Sequence, residues 1–280
     1  MGKSEFVTKL EGQWAKGLFV CVGLDSDYAR LPQAVKDGSS VEDAIFEFNR
    51  AIVDATADLV CAFKPQSSYY EEQGAEGWNA LARTAAYINK NYPHIVPILD
   101  AKRGDIDRTS ASYARSIFDN LGFGAVTVNP YFGEDALDPF LAYKNKGVII
   151  LVKTSNKGNG EFQDQKLADT GKTLYETVAE RVATVWNKNG NCGVVVGATF
   201  PKELAVVRSI IGDIPILIPG LGAQDGDVEA TIQAGRDSRG WGMIINSSST
   251  IIFASAGEDF AEAARAKTEE LHRSVLKYAA

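Results

Sequence analysis

Histidine is nearly absent from this chain of 280 residues: His94 and His272 are the only two. Neither has neighbours at ligand spacing, so a Cys/His metal centre is not expected. Cysteine is almost as scarce. Cys21, Cys61 and Cys192 are odd in number and each sits in an apolar run. That pattern predicts buried free thiols in a reducing cytoplasm rather than a disulfide framework. Long hydrophobic runs are missing too, and no segment approaches the length needed to span a bilayer. The first residues lack the apolar core of a secretion signal, and Phe6 stands where a myristoylation signal requires Ser or Thr. Positive charge is in deficit, with 29 Lys and Arg against 36 Asp and Glu and a net charge of -7. That balance argues against nucleic-acid and anionic-membrane partners while leaving room for a small cationic pocket. Linkers rich in Pro, Gly or Ser are also lacking, as are low-complexity stretches, so one domain over residues 1–280 is expected.

What the chain does have is alternation. Ser4 is placed to cap a helix on which Phe6, Leu10 and Trp14 recur at i, i+4. Short apolar runs then follow at Leu18–Leu24, Leu59–Phe63, Ile95–Leu99, Gly124–Val128, Gly147–Val152, Cys192–Gly197, Ile214–Ile218 and Gly242–Ile245. Between them lie helical patterns such as Val41–Thr56, Trp78/Leu81/Ala85/Ile88, Tyr113/Ile117/Leu121 and Leu174/Val178/Val182/Trp186. The runs are continuously apolar rather than alternating, as strands buried on both faces are. Eight strand–helix units in this length predict an α/β protein, a single (β/α)8 TIM barrel with an extra N-terminal helix. Tyr113, at helical spacing, is assigned to the core.

Nearly every run ends on polar groups. The most conspicuous end is Asp100-Ala101-Lys102-Arg103-Gly104-Asp105-Ile106. In extended geometry the i, i+2 spacing of Asp100 and Lys102 directs both side chains to one side, whereas Asp105 lies beyond a glycine. A barrel gathers strand ends on one face, which brings Asp25, Lys64, Asp100, Lys102, Ser155, Gln224 and Asn246 to a single mouth. A lysine between carboxylates stays protonated, since such a pair interacts by roughly 4 kcal/mol at 4 Å near a surface. It is then a proton donor rather than a Schiff-base nucleophile. After the seventh strand, Pro219-Gly220-Leu221-Gly222-Ala223-Gln224-Asp225-Gly226 has the glycines of an anion-cradling turn. Each residue also has a plainer use: Asp25 and Asp105 as helix caps, Lys64 as a surface lysine, Ser155 and Asn156 as a turn. Asn129 is read as structural.

Taken together, in order and at strand ends, these motifs resemble the orotidine 5'-phosphate decarboxylase family over essentially the whole chain. The family's D-x-K-x-x-D-I stands as Asp100 to Ile106, its strand-one Gly-Leu-Asp as Gly23-Leu24-Asp25, and its strand-two lysine as Lys64 in Phe63-Lys64-Pro65-Gln66. Lys153-Thr154-Ser155-Asn156 resembles the pyrimidine-binding stretch, and Pro219 to Gln224 the phosphate loop. The resemblance implies a cofactor-free, metal-free decarboxylation of orotidine 5'-phosphate to UMP, the last step of pyrimidine synthesis. In that reaction Lys102 protonates C6, Asp100 sits beside the substrate carboxylate, and Lys64 links Asp25 and Asp100 in a charge network. It further implies Asp25 on the ribose hydroxyls, Thr154 and Ser155 on the pyrimidine, and Gln224 on the phosphate. Gln66, Pro219, Ser248 and Ser249 complete the substrate-binding set. Asp105 and Thr109 would complete the neighbouring site of a cytoplasmic homodimer.

Two positions depart from the family pattern. Ser249 stands where an arginine grips the phosphate, and Gln66 where Asn is expected. Losing one charge-assisted hydrogen bond costs on the order of 1.5–3 kcal/mol, so kcat/KM is expected to fall below that of an arginine-bearing version. Arg236 and Arg239 precede strand eight and are expected on the opposite face. Two rivals are weighed. A Mg-dependent sugar-phosphate decarboxylase of the same barrel group would carry a glutamate where Lys64 stands. A non-catalytic nucleotide-binding barrel has only the missing arginine in its favour.

Overall fold

The computed structural model describes residues 3–221 and 227–279. Eight parallel strands close into a barrel in sequence order: β1 (Val20–Leu24), β2 (Val60–Pro65), β3 (Val96–Arg103), β4 (Ala125–Val128), β5 (Gly147–Lys153), β6 (Cys192–Val196), β7 (Ile216–Pro219) and β8 (Met243–Ser247). β1 pairs with both β2 and β8, which closes the ring. Every residue of β1, β2, β4, β6 and β8 is buried, so both faces of these strands are covered and the apolar runs have no polar alternation.

The helix α1 (Glu5–Trp14) begins at Ser4, whose Oγ accepts from the Val7 N–H at 3.3 Å. Its partners fix where it lies. Gln13 Nε2 donates to the Val60 carbonyl at 2.9 Å, the Phe6 N–H to Asn145 O at 3.2 Å, and Ser4 Oγ to Gly190 O at 3.1 Å. All three acceptors stand at or just before strand starts. α1 therefore crosses the amino ends of the barrel and buries Phe6, Leu10 and Trp14 against them.

The outer ring is α2 (Val41–Thr56), α3 (Gly74–Asn91), α4 (Asp107–Arg115), α5 (Glu134–Leu141), α6 (Leu174–Arg181), α7 (Pro201–Ile211), α8 (Val228–Gly235) and α9 (Phe260–Ala279). Ser40 caps α2, and Thr173 with Glu176 forms a reciprocal capping box on α6.

Three local expectations are corrected. Extended geometry fails at Lys102, whose φ is +47°, although pairing of β3 with β4 resumes at Arg103. Tyr113 is 37% exposed rather than core. α4 widens into a π-type turn over Ser116–Asn120, which breaks the four-residue register after Tyr113, and the Arg103 guanidinium lies 5.3 Å from the Tyr113 ring. Finally, the polar stretch after β5 is not plain loop, since Lys157–Asn159 and Gly160–Gln163 are both helical turns.

Candidate active site

The carboxyl ends of β1, β2 and β3 bring four side chains together. Lys64, on β2, is almost wholly buried, and its Nζ lies 3.2 Å from Asp100 Oδ2 and 3.7 Å from Asp25 Oδ1. On the other side of the same carboxylate, Asp100 Oδ1 receives Lys102 Nζ at 2.7 Å. Charges therefore alternate along a row of Asp25, Lys64, Asp100 and Lys102. The Lys64 side chain is 4% exposed, whereas the Lys102 side chain is 46% exposed at the open end of the row.

A fifth residue ties this row to the barrel wall. Thr127 Oγ1 donates to Asp100 Oδ1 at 2.8 Å and accepts the Lys102 backbone N–H at 2.9 Å. Lys102 holds a left-handed backbone that costs a non-glycine residue on the order of 1–3 kcal/mol. The Thr127 bond is what anchors it there. Nothing in the sequence analysis singled out Thr127. Its signal is faint: one hydroxyl in an otherwise apolar run, two residues before that run ends at Asn129.

The electrostatics follow from the geometry. Burial alone would push the Asp100 carboxyl upward, but the ammonium groups of Lys64 and Lys102 and the hydrogen bonds from Lys102 and Thr127 outweigh it and hold the group well below its usual range. Burial likewise opposes charge on Lys64, and the carboxylates of Asp25 and Asp100 outweigh it and raise that ammonium above its usual value. Asp100 is held as an anion and Lys64 as a cation. Beneath them Cys21 is pushed up to about 12 by burial, so it remains a thiol.

The remaining expected residues are placed as follows. Gln66 begins the turn of helix at Ser67–Glu71, its Oε1 3.5 Å from the Ser68 N–H, and its backbone bridges Asp100. Thr154 and Ser155 follow the last residue of β5. Pro219 ends β7, paired with Asn246 of β8. Ser248 stands at the mouth above β1, where a Cβ on Gly23 would fall 1.8 Å from its Oγ, so only glycine fits at position 23. Ser249 is exposed and opens the short helix Ser249–Ile252. Gln224 lies outside the described residues. Asp105 and Thr109 are not brought to the row within this chain: Asp105 Oδ1 accepts its own neighbour's N–H, from Ile106 at 2.8 Å, and Thr109 is exposed on the first turn of α4. Among the described residues of this chain, Lys102 has Asp100 beside it and no second carboxylate within ion-pair reach.

Arg239 pairs with Glu11 of α1 at 2.6 Å and with Asp237 at 2.7 Å, which commits it to the opposite end of the barrel. Asn129 caps its own turn by accepting the Tyr131 N–H. Two buried oxygens at strand ends, Asp25 Oδ1 and Asn246 Oδ1, have no hydrogen-bond partner. Among the described residues no group of three or more His, Cys, Asp or Glu is placed to hold a metal ion. None of the described helices is long and apolar enough to cross a membrane.

Known proteins resemble this chain over most of its length. Residues 19–268 match the model of the orotidine 5'-phosphate decarboxylase / HUMPS family. An orotidine 5'-phosphate decarboxylase of Ralstonia pickettii (strain 12J) is 52% identical over 261 residues, covering 93% of this chain and 94% of that protein. One from Azoarcus sp. (strain BH72) is 49% identical over 274 residues, covering 98% and 99%. Among solved structures, the OMP decarboxylase of Leishmania donovani superposes with a TM-score of 0.81 at 37% identity, covering 96% of this chain and 98% of that one. On these matches, the chain belongs to the orotidine 5'-phosphate decarboxylase / HUMPS family.

Proposed function

We propose that this chain, acting as one barrel unit over residues 1–280, is a carboxy-lyase that converts orotidine 5'-phosphate to UMP and CO2. The observation that carries the reading is the Asp25–Lys64–Asp100–Lys102 row. A carboxylate held ionised between two ammonium groups suits a reaction that expels one negative group and builds charge at carbon. The substrate carboxylate, seated beside Asp100, is repelled in the ground state and leaves as neutral CO2. The C6–carboxylate bond breaks with its electron pair left on C6, and the Lys102 ammonium stabilises that charge and delivers a proton to it. Because the charge develops only as the bond breaks, a fixed cation there favours the transition state over bound substrate. No residue in this scheme needs a metal or an organic cofactor.

The binding assignments are part of the same proposal. Asp25 keeps 23% of its side chain exposed, and its carboxylate accepts from the ribose hydroxyls. Thr154 and Ser155 face the pyrimidine with Gln66 beside Asp100, while Pro219, Gln224, Ser248 and Ser249 serve the phosphate. Asp105 and Thr109 belong to the partner's site in a homodimer. This fits the exposed apolar side chains at the exits of β3 and β4, where Ile106 is 53%, Tyr131 79% and Phe132 51% exposed. Three buried free thiols fit action in the reducing cytoplasm. Lys64 stands against the Mg-dependent rival, because it puts an ammonium where that rival carries a glutamate.

Without a cation at position 249 the phosphate grip is weak, so Ser249→Arg is expected to raise kcat/KM about tenfold or more, the worth of one charge-assisted bond. The test of the function itself is turnover of orotidine 5'-phosphate in excess chelator, followed by loss of orotate absorbance, beside Lys102→Ala. Turnover that survives the chelator and disappears in the variant supports the reading. Turnover abolished by the chelator would turn it to the Mg-dependent rival, and UMP binding without turnover to a nucleotide-binding barrel.

A further inference from the structure

Two successive residues at the exit of β5 are each fastened by one of two successive residues ten positions later. Lys153 ends the strand with only 1% of its surface exposed, and its Nζ lies 2.5 Å from Asp164 Oδ1. The rings of Phe200 and Tyr175 stand 5.0 and 5.6 Å from the same ammonium. Next to it, the Thr154 N–H donates to Gln163 Oε1 at 3.0 Å, and Thr154 Oγ1 accepts from Gln163 Nε2 at 2.9 Å. The same hydroxyl donates onward to Asn156 Oδ1 at 2.7 Å. Gln163 thus uses both halves of its carboxamide on one residue.

The arrangement is costly for a mere surface turn. A lysine taken out of water carries a desolvation penalty of several kcal/mol that only close pairing offsets. Yet the fastening residues protect little core, since Glu161, Phe162, Asp164 and Gln165 are all exposed. What the two clamps do hold is the next residue, Ser155. On its far side Ser155 backs onto the residue that follows β6, where a Cβ on Gly197 would come within 2.8 Å of the Ser155 Cβ. Ser155 also borders an open cleft of about 690 Å³ that Asp164, Thr199 and Phe200 line with it. A serine pinned from two sides at the edge of a cleft is preorganised for binding, which lowers the ordering cost a ligand would otherwise bear.

We propose that Gln163 and Asp164 are positioning residues for the decarboxylation, acting through Thr154 and Lys153 to hold Ser155 in place against the pyrimidine. This rests on the reading of Ser155 as a pyrimidine contact. Neither residue touches substrate. Removing either leaves the charged row intact and loosens the binding edge, so the damage falls on KM more than on kcat.

The test measures kcat and KM for orotidine 5'-phosphate, Kd for UMP and the urea midpoint in Gln163→Leu, Asp164→Asn, Ser155→Ala and the Gln163→Leu/Ser155→Ala pair. Gln163→Leu leaves no unpaired charge behind, so it stays informative if Asp164→Asn, which strands the Lys153 ammonium, folds poorly. Gln163→Leu is expected to raise KM and the UMP Kd about three- to tenfold, the range of one or two net hydrogen bonds. kcat and the urea midpoint should change far less, and adding Gln163→Leu to Ser155→Ala should cost less than Gln163→Leu costs alone. If Ser155→Ala raises KM but Gln163→Leu does not, or if the two effects simply add, the positioning role is overturned while Ser155 remains a contact. If Ser155→Ala leaves KM and the UMP Kd unchanged, it is the reading of Ser155 that fails, and this proposal falls with it.

Discussion

Asp100 has both carboxylate oxygens committed, one to Lys64 and the other to Lys102 and Thr127. A group so engaged acts as a fixed charge rather than as a proton carrier. Its folded-state value lies below the ordinary one, so what it contributes to stability is present above about pH 3.9 and is lost only as pH falls through the lowered value. Lys64 has the opposite sign: its contribution is complete below about pH 10.4 and is lost only as pH rises through its raised value. Between about pH 5 and 9 neither group titrates, and kcat/KM should show no limb from either. A carboxylate signal of Asp100 that titrates near neutrality in an infrared or carbon-13 experiment would contradict this. Thr127 offers a second check at the same scale. Thr127→Val keeps the shape but removes a bond to an ionised carboxylate and the anchor of Lys102. It is expected to lower kcat about tenfold or more, with KM less affected.

At the scale of elements, strand ends were the most legible part of the chain. The runs ending at Asp25, Lys64 and Asp100 all stop on charge, and the barrel gathers them as the pattern implied. α1 was legible for a simpler reason, a cap followed by an unbroken apolar stripe. Because Leu10 of that stripe is fully buried against the strand starts, Leu10→Ala should lower the unfolding free energy by about 2–5 kcal/mol in a urea titration. The KM for orotidine 5'-phosphate should not follow. What stayed illegible depended on the backbone leaving its regular path. Lys102 turns left-handed, the buried face of the helix after β3 runs through Ser110, Ala114 and Ile117 and leaves Tyr113 outside the core, and the clamps on Lys153 and Thr154 come from a stretch that reads as polar loop. Periodicity carries no information about contacts of this kind, since they are made by single side chains across turns.

For the whole molecule, the question is where a complete site comes from. Among the described residues of one chain Asp105 and Thr109 stand apart from the charged row, and under the proposal above the second carboxylate for Lys102 comes from a second copy. Mixing inactive Lys102→Ala and Asp105→Ala proteins under subunit exchange tests this directly. Each hybrid dimer then contains one site with both defects and one with neither, and about a quarter of wild-type activity should return. Activity that stays at the sum of the parents would place Asp105 in its own chain's site. The family resemblance supplied the idea of sharing, and the position of Asp105 away from the row, with Oδ1 accepting the Ile106 N–H, is compatible with it.

The helix across the amino ends of the strands has one more consequence. It makes the barrel a molecule with a working end and a blind end, separated by the full length of the strands. Thr8 and Gly12 lie on the solvent side of α1. A resin, a dye or a second enzyme joined there would carry the mouth facing outward, with the barrel itself serving as the spacer.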